Sequence, residues 1–221
     1  MAISAKDITE LRQRTQAGML DCKNALEACG GDMDKAAEWL REKGMASAAK
    51  KQGRIAAEGK VESYIHLGGK IGVLVEVNCE TDFVAKSEAF NEFVHNIALQ
   101  IAASKPLFVS VEDADQNVID AERKIFMAQT LNEGKPENIA EKIVEGRVRK
   151  YLQEVCLLDQ VYFRDGTKTI NDYLKETIGK IGEKITIRRF VRYEMGEGLQ
   201  KKEENFAEEI QKQIDKQKQN A

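Results

Sequence analysis

Two apolar alternations joined by a pair of glycines fix the middle of this chain. Val61, Ser63, Ile65 and Leu67 alternate with Glu62, Tyr64 and His66, Gly68-Gly69 supplies a tight reversal, and Ile71, Val73, Val75 and Val77 resume the period of two. That pattern specifies an antiparallel β-hairpin with one buried face, and the apolar series of each arm is expected to be that face. His66 then falls on the polar series, as an exposed strand residue rather than a catalyst. Downstream, Phe90, Phe93, Val94, Ile97, Ala98 and Ile101 recur at helical spacing behind Ser87, which is suited to cap the first turn. A helix with that stripe needs an apolar partner, and the hairpin is the nearest one. The fold class expected is α+β.

The rest of the chain divides around this unit. Residues 1–44 read as three short helices. Ser4 with Asp7 caps the first, Met19, Cys22, Leu26 and Cys29 line the second, Gly30-Gly31 stops it, and Asp32 caps a third that Gly44 ends. Residues 45–59, rich in Ala, Lys and Gly, read as a linker. The core hairpin and helix occupy 60–110. In 111–153 two antiparallel helices meet at Gly134-Lys135-Pro136, with Val118, Ala121, Ile125 and Ala128 expected to face Ile139, Ile143 and Gly146 as a coiled-coil hairpin. The core resumes over 154–195, where Ile185, Ile187 and Val191 mark a strand, and a C-terminal module follows over 196–221 with Phe206 on a short amphipathic helix.

Composition narrows the function. Among 221 residues, 34 are Lys or Arg and 37 are Asp or Glu, a balance that argues against a dedicated nucleic-acid or membrane-surface binder. The N-terminus lacks the pattern of a signal peptide, and no apolar run is long enough to span a bilayer, so the cytoplasm is the expected location. The four cysteines form no Cys-x-x-Cys unit and lie far from His66 and His95, so no metal site is expected. Gly68-Gly69 is not followed by the Gly-Lys-Ser/Thr ending of a phosphate loop, which leaves the chain without a nucleotide-binding motif of its own. No nucleophile, base and oxyanion set assembles, so no catalytic residue, no cofactor and no enzyme activity are expected.

Thr81-Asp82-Phe83-Val84-Ala85-Lys86 stands where the hairpin stops and the helix is about to start. Phe83 belongs to neither periodicity. A phenylalanine at such a junction is most often a core plug, because large apolar side chains are usually buried. The wider segment Asn78-Cys79-Glu80-Thr81-Asp82-Phe83-Val84-Ala85-Lys86 nevertheless resembles the signature of the elongation factor Ts family. So does Leu11-Arg12-Gln13-Arg14-Thr15-Gln16-Ala17-Gly18-Met19-Leu20-Asp21-Cys22-Lys23, with Gln16 where the family pattern has glycine. Gly134-Lys135-Pro136, Ile139 to Arg147, Ile181-Gly182-Glu183 and Gly196-Glu197-Gly198 resemble further landmarks in family order.

The resemblance implies a guanine-nucleotide exchange factor that binds elongation factor Tu with GDP and promotes GDP release. It implies a ubiquitin-associated-like N-terminal bundle that touches the GTPase through Arg12 and Met19, and an exchange tip at Thr81, Asp82, Phe83 and Val84. It also implies a C-terminal contact at Phe206 and, for a short form with a single hairpin-helix unit, a two-fold homodimer. The competing reading is a ubiquitin-associated-like adaptor that recognises a protein or ribosomal surface without exchange activity. The Thr81 to Lys86 segment separates the two, since an adaptor has no need of it.

Overall fold

Ser4 and Asp7 pair reciprocally, each main-chain N–H donating to the other's side chain at 2.9 and 3.2 Å, and so start the first helix. The computed structural model describes residues 3–15 and 17–199. Gln16 and Phe206 lie outside the described residues. Helices α1 (Ala5–Thr15), α2 (Met19–Ala28) and α3 (Met33–Lys51) pack around Leu11, Cys22, Ala25, Leu26 and Ala36, with Trp39 and Leu40 at the margin. The Asp32 carboxylate caps α3 by accepting from the Asp34 and Lys35 N–H groups.

Helix α3 does not stop at Gly44. It runs through the expected linker to Lys51 and crosses α8 (Ile170–Ile181), with Ala48 buried in the main core. The crossing explains the glycine. A Cβ on Gly179 would lie 2.8 Å from the Gly44 Cα, so the two backbones meet where neither residue has a side chain. Gly44 is thus a packing glycine inside a helix rather than a terminator, and the stretch after it is helical because it has core to bury.

Strands β1 (Glu58–His66) and β2 (Ile71–Cys79) form the hairpin, and β5 (Ile185–Glu194) pairs antiparallel with β2 to give the order β1-β2-β5. Between hairpin and α5 (Glu88–Ser104) sits the one-turn helix α4 (Asp82–Ala85). Helix α5 covers the inner sheet face, burying Phe90, Phe93, Val94, Ile97 and Ile101 on Val73, Val75 and Val77.

Register overturns the face expected for β1. Tyr64 lies opposite Val73 and Glu62 opposite Val75, so Glu62, Tyr64 and His66 turn inward while Val61, Ile65 and Leu67 are exposed. His66 is half-buried, its Nδ1 2.8 Å from the Tyr64 hydroxyl. Alternation gives a strand its period, but only pairing with the buried Val73, Val75 and Val77 series of β2 decides which series meets the helix.

Helices α6 (Gln116–Asn132) and α7 (Glu137–Val155) form the helical hairpin. Its seam is shifted from the expected one: Ile119, Val144 and Val148 are buried with Phe126, Met127 and Leu152 against them, whereas Ala121, Ile125 and Ile139 face solvent. The aromatic ring of Phe126 and the long Met127 fill more of the seam than the alanines of the expected register would. A small antiparallel pair, β3 (Val161–Tyr162) and β4 (Asp165–Thr169), leads into α8, which Thr169 caps reciprocally with Asp172.

Candidate functional site

Thr81 is the hinge between β2 and α4. Its hydroxyl oxygen accepts from the Val84 N–H at 3.4 Å as helix cap, while the same hydroxyl donates to Glu183 Oε1 at 2.7 Å and the Thr81 N–H donates to Glu183 Oε2 at 3.0 Å. Val84 and Ala85 pack on the main core from the inner side of α4. The turn is thereby held at its base and from below.

Phe83 points the other way and is 82% exposed. The core-plug reading of this ring is thus excluded for the free protein. Asp82, one residue earlier, accepts from Lys86 Nζ at 2.7 Å, and this hydrogen bond with the lysine's charge holds the Asp82 carboxyl below its ordinary value. Both are exposed, so the pair orients the turn more than it stabilises the fold. The structure brings Thr81, Asp82, Phe83 and Val84 onto one turn, with an unpacked aromatic ring at its end.

The preceding residue is tied down as well. Glu80 Oε1 accepts from the Lys184 N–H at 2.6 Å and from Arg54 Nη1 at 3.2 Å, which lowers the Glu80 carboxyl below its ordinary value. Lys184 Nζ in turn donates to the main-chain oxygens of Gln52 and Arg54 at 2.6 and 2.8 Å. Beneath the tip, Cys79 Sγ lies 3.2 Å from the Thr81 carbonyl oxygen, and burial pushes this thiol up. Glu183, Lys184 and Arg54 all reach the turn from distant parts of the sequence. The Ile181-Gly182-Glu183 string marks the right place, but nothing in it signals a pairing with Thr81.

Arg12 and Met19 lie apart from the tip, in the N-terminal helical cluster. Arg12 is exposed and Met19 is 45% exposed, so Met19 is not the core residue that its place on the α2 stripe implies. Leu20 beside it is 69% exposed and was not among the candidates from sequence. Its offset from the Cys22, Ala25 and Leu26 series is the signal that marks it as outward. Phe206 falls outside the described residues. Among the described residues no group of three or more His, Cys, Asp or Glu is placed to hold a metal ion, and no helix is long and apolar enough to cross a membrane.

Residues 31–197 match the family described as elongation factor Ts. The chain belongs to the elongation factor Ts family. It is 61% identical over 212 residues to elongation factor Ts of Desulforamulus reducens, covering 96% of this chain and 98% of that one. Elongation factor Ts of Desulfitobacterium hafniense is 57% identical over 214 residues, with 97% and 99% covered, and that of Carboxydothermus hydrogenoformans 61% over 208 residues, with 94% and 96% covered. The protein is accordingly a translation elongation factor that acts as nucleotide exchange factor for elongation factor Tu.

Proposed function

We propose that the Thr81 to Val84 turn enters elongation factor Tu beside its nucleotide pocket, and that Phe83 wedges apart partner elements that hold the magnesium ion and phosphates of GDP. The magnesium belongs to the partner. This chain supplies shape and binding energy, with no covalent chemistry, no bound nucleotide and no cofactor of its own. The exposed Phe83 on an anchored turn carries the reading, because a ring that is 82% exposed keeps most of its burial energy for a complex.

That energy bounds what the tip does alone. Full burial of a phenylalanine is worth about 1.5–3 kcal/mol, whereas moving a two-state population from 1:99 to 99:1 takes about 5.5 kcal/mol of differential affinity. The rest comes from the grip elsewhere. In this reading Arg12, Met19 and Leu20 in the bundle of residues 1–44 and Phe206 in the module of 196–221 hold the GTPase while the core presents the tip. The grip is tighter on the nucleotide-free partner, and by reciprocity nucleotide weakens it.

The working form in this proposal is a cytoplasmic homodimer. Ile65, Leu74, Val191 and Tyr193 expose a contiguous apolar patch on the outer sheet face, in register through the Leu74–Val191 and Gly72–Tyr193 pairs. No helix covers it among the described residues, and a second copy packed face to face would.

The adaptor alternative leaves the anchored tip without a use. Release of labelled GDP from elongation factor Tu, followed with and without this protein, separates the two: acceleration is expected, and binding with no acceleration would establish the adaptor.

A further inference from the structure

We propose that Glu183 is a positioning residue for exchange, acting through Thr81, and that the α8–β5 turn is the anvil against which the tip works. The inference rests on the wedge reading of Phe83. Strand β2 ends at Cys79 and α4 begins at Asp82, so only Glu80 and Thr81 connect the sheet to the tip. Both are held by consecutive residues of one turn: Thr81 by the Glu183 carboxylate at 2.7 and 3.0 Å, and Glu80 by the Lys184 N–H at 2.6 Å.

Gly182, with φ of 86°, reverses the chain at the end of α8 and sends Glu183 back toward Thr81. The side chain of Lys184 then closes a ring through Gln52 and Arg54 at the end of α3. The tip base, the α8–β5 turn and the residues just past the end of α3 thus share one hydrogen-bonded frame.

The reason for such a frame is mechanical. Phe83 is 82% exposed, so most of any force it exerts on a partner returns through Thr81. A free Thr81 would swing the ring over many orientations, few of them productive. Thr81 is only partly buried, so water can reach the groups that loss of the Glu183 bonds would free, and the fold is expected to be little affected. Binding through other surfaces is likewise retained, and the loss falls on the step that needs the ring aligned.

The discriminating experiment is stopped-flow release of labelled GDP from elongation factor Tu over a concentration series of the full chain, which separates maximum rate from half-saturating concentration. Glu183→Ala is expected to lower the maximum rate about tenfold while half-saturation moves by less than about threefold. Glu183→Gln keeps an oxygen for the Thr81 N–H and an amide that donates to the hydroxyl, and is expected to recover to within about threefold of the unmodified protein. Should Glu183→Ala not fold, Thr81→Val deletes the hydroxyl while keeping the side-chain shape, and the same loss of maximum rate is expected.

An unchanged maximum rate, a loss confined to half-saturation, or Glu183→Gln as slow as Glu183→Ala would each overturn the inference. Failure of the unmodified protein to accelerate release would instead remove the exchange reading, and the anchor with it.

Discussion

Thr81 donates its N–H and its hydroxyl to the two carboxylate oxygens of Glu183, at 3.0 and 2.7 Å, across a sequence separation of 102 residues. That contact joins the start of the Thr81 to Val84 turn to the far end of the core. It sets an exposed aromatic ring on a fixed base, the combination a wedge requires. The neighbouring Glu80 and Lys184 repeat the tie one residue earlier, so the orientation of the tip is a property of the whole β2–β5 edge.

The first prediction concerns acid. The Lys184 N–H, then the Arg54 guanidinium, hold the folded Glu80 carboxyl below its ordinary value of 4.5. A depressed folded value means that the contribution is present above the unfolded value and is lost as pH falls through the folded one. Glu80→Gln is therefore expected to melt below the unmodified protein at about pH 7, with the gap closing as pH falls below the carboxyl's ordinary value of 4.5. Melting curves across that range check it. A gap independent of pH would mean that the charge of Glu80 is not what holds the tip base.

The second prediction uses one substitution at two glycines that touch. A Cβ on Gly44 would meet the Gly179 Cα at 3.8 Å, an ordinary contact, whereas a Cβ on Gly179 would meet the Gly44 Cα at 2.8 Å. Gly44→Ala is expected to be neutral or to gain up to about 1 kcal/mol from helix propensity. Gly179→Ala is expected to lose about 1–3 kcal/mol, because α3 and α8 must part. Thermal unfolding of the two variants side by side decides it, and the same sign for both would refute the close crossing.

Much of this fold was legible in the sequence, and the errors share a cause. Ser4, Asp32 and Ser87 act locally, within three residues, so their capping role is legible in the sequence. Gly44 looks like a stop because the helix on the far side of the crossing is more than a hundred residues away. The apolar series of β1 is plain in the sequence but its face is not, since Val61 and Ile65 alternate as cleanly outside a sheet as inside it. Register with β2 is what separates the two, and periodicity carries no register. Thr81 to Val84 stands out only by resemblance, and its supports Glu183, Lys184 and Arg54 are invisible in the sequence because each acts through a long-range contact.

The third prediction concerns the outer sheet face. Ile65 and Tyr193, 65% and 72% exposed, are adjacent through Gly72, so a charge at either costs the isolated chain little. Light scattering over a concentration series is expected to give the mass of a dimer for the unmodified protein and of a monomer for Ile65→Glu combined with Tyr193→Glu. A monomer mass for the unmodified protein at tens of micromolar would defeat the dimer and leave the exchange function untouched.

The central claim is that Phe83 spends its burial energy in the partner and none in its own fold. Phe83→Ala tests it most directly, with GDP release from elongation factor Tu and thermal unfolding measured on one preparation. The ring is 82% exposed, so the melting temperature is expected to stay unchanged. A loss of about 1.5–3 kcal/mol at the transition state corresponds to roughly 10- to 150-fold slower release at subsaturating concentrations. Release at the unmodified rate, or a loss of activity that tracks a loss of folding, would contradict the account.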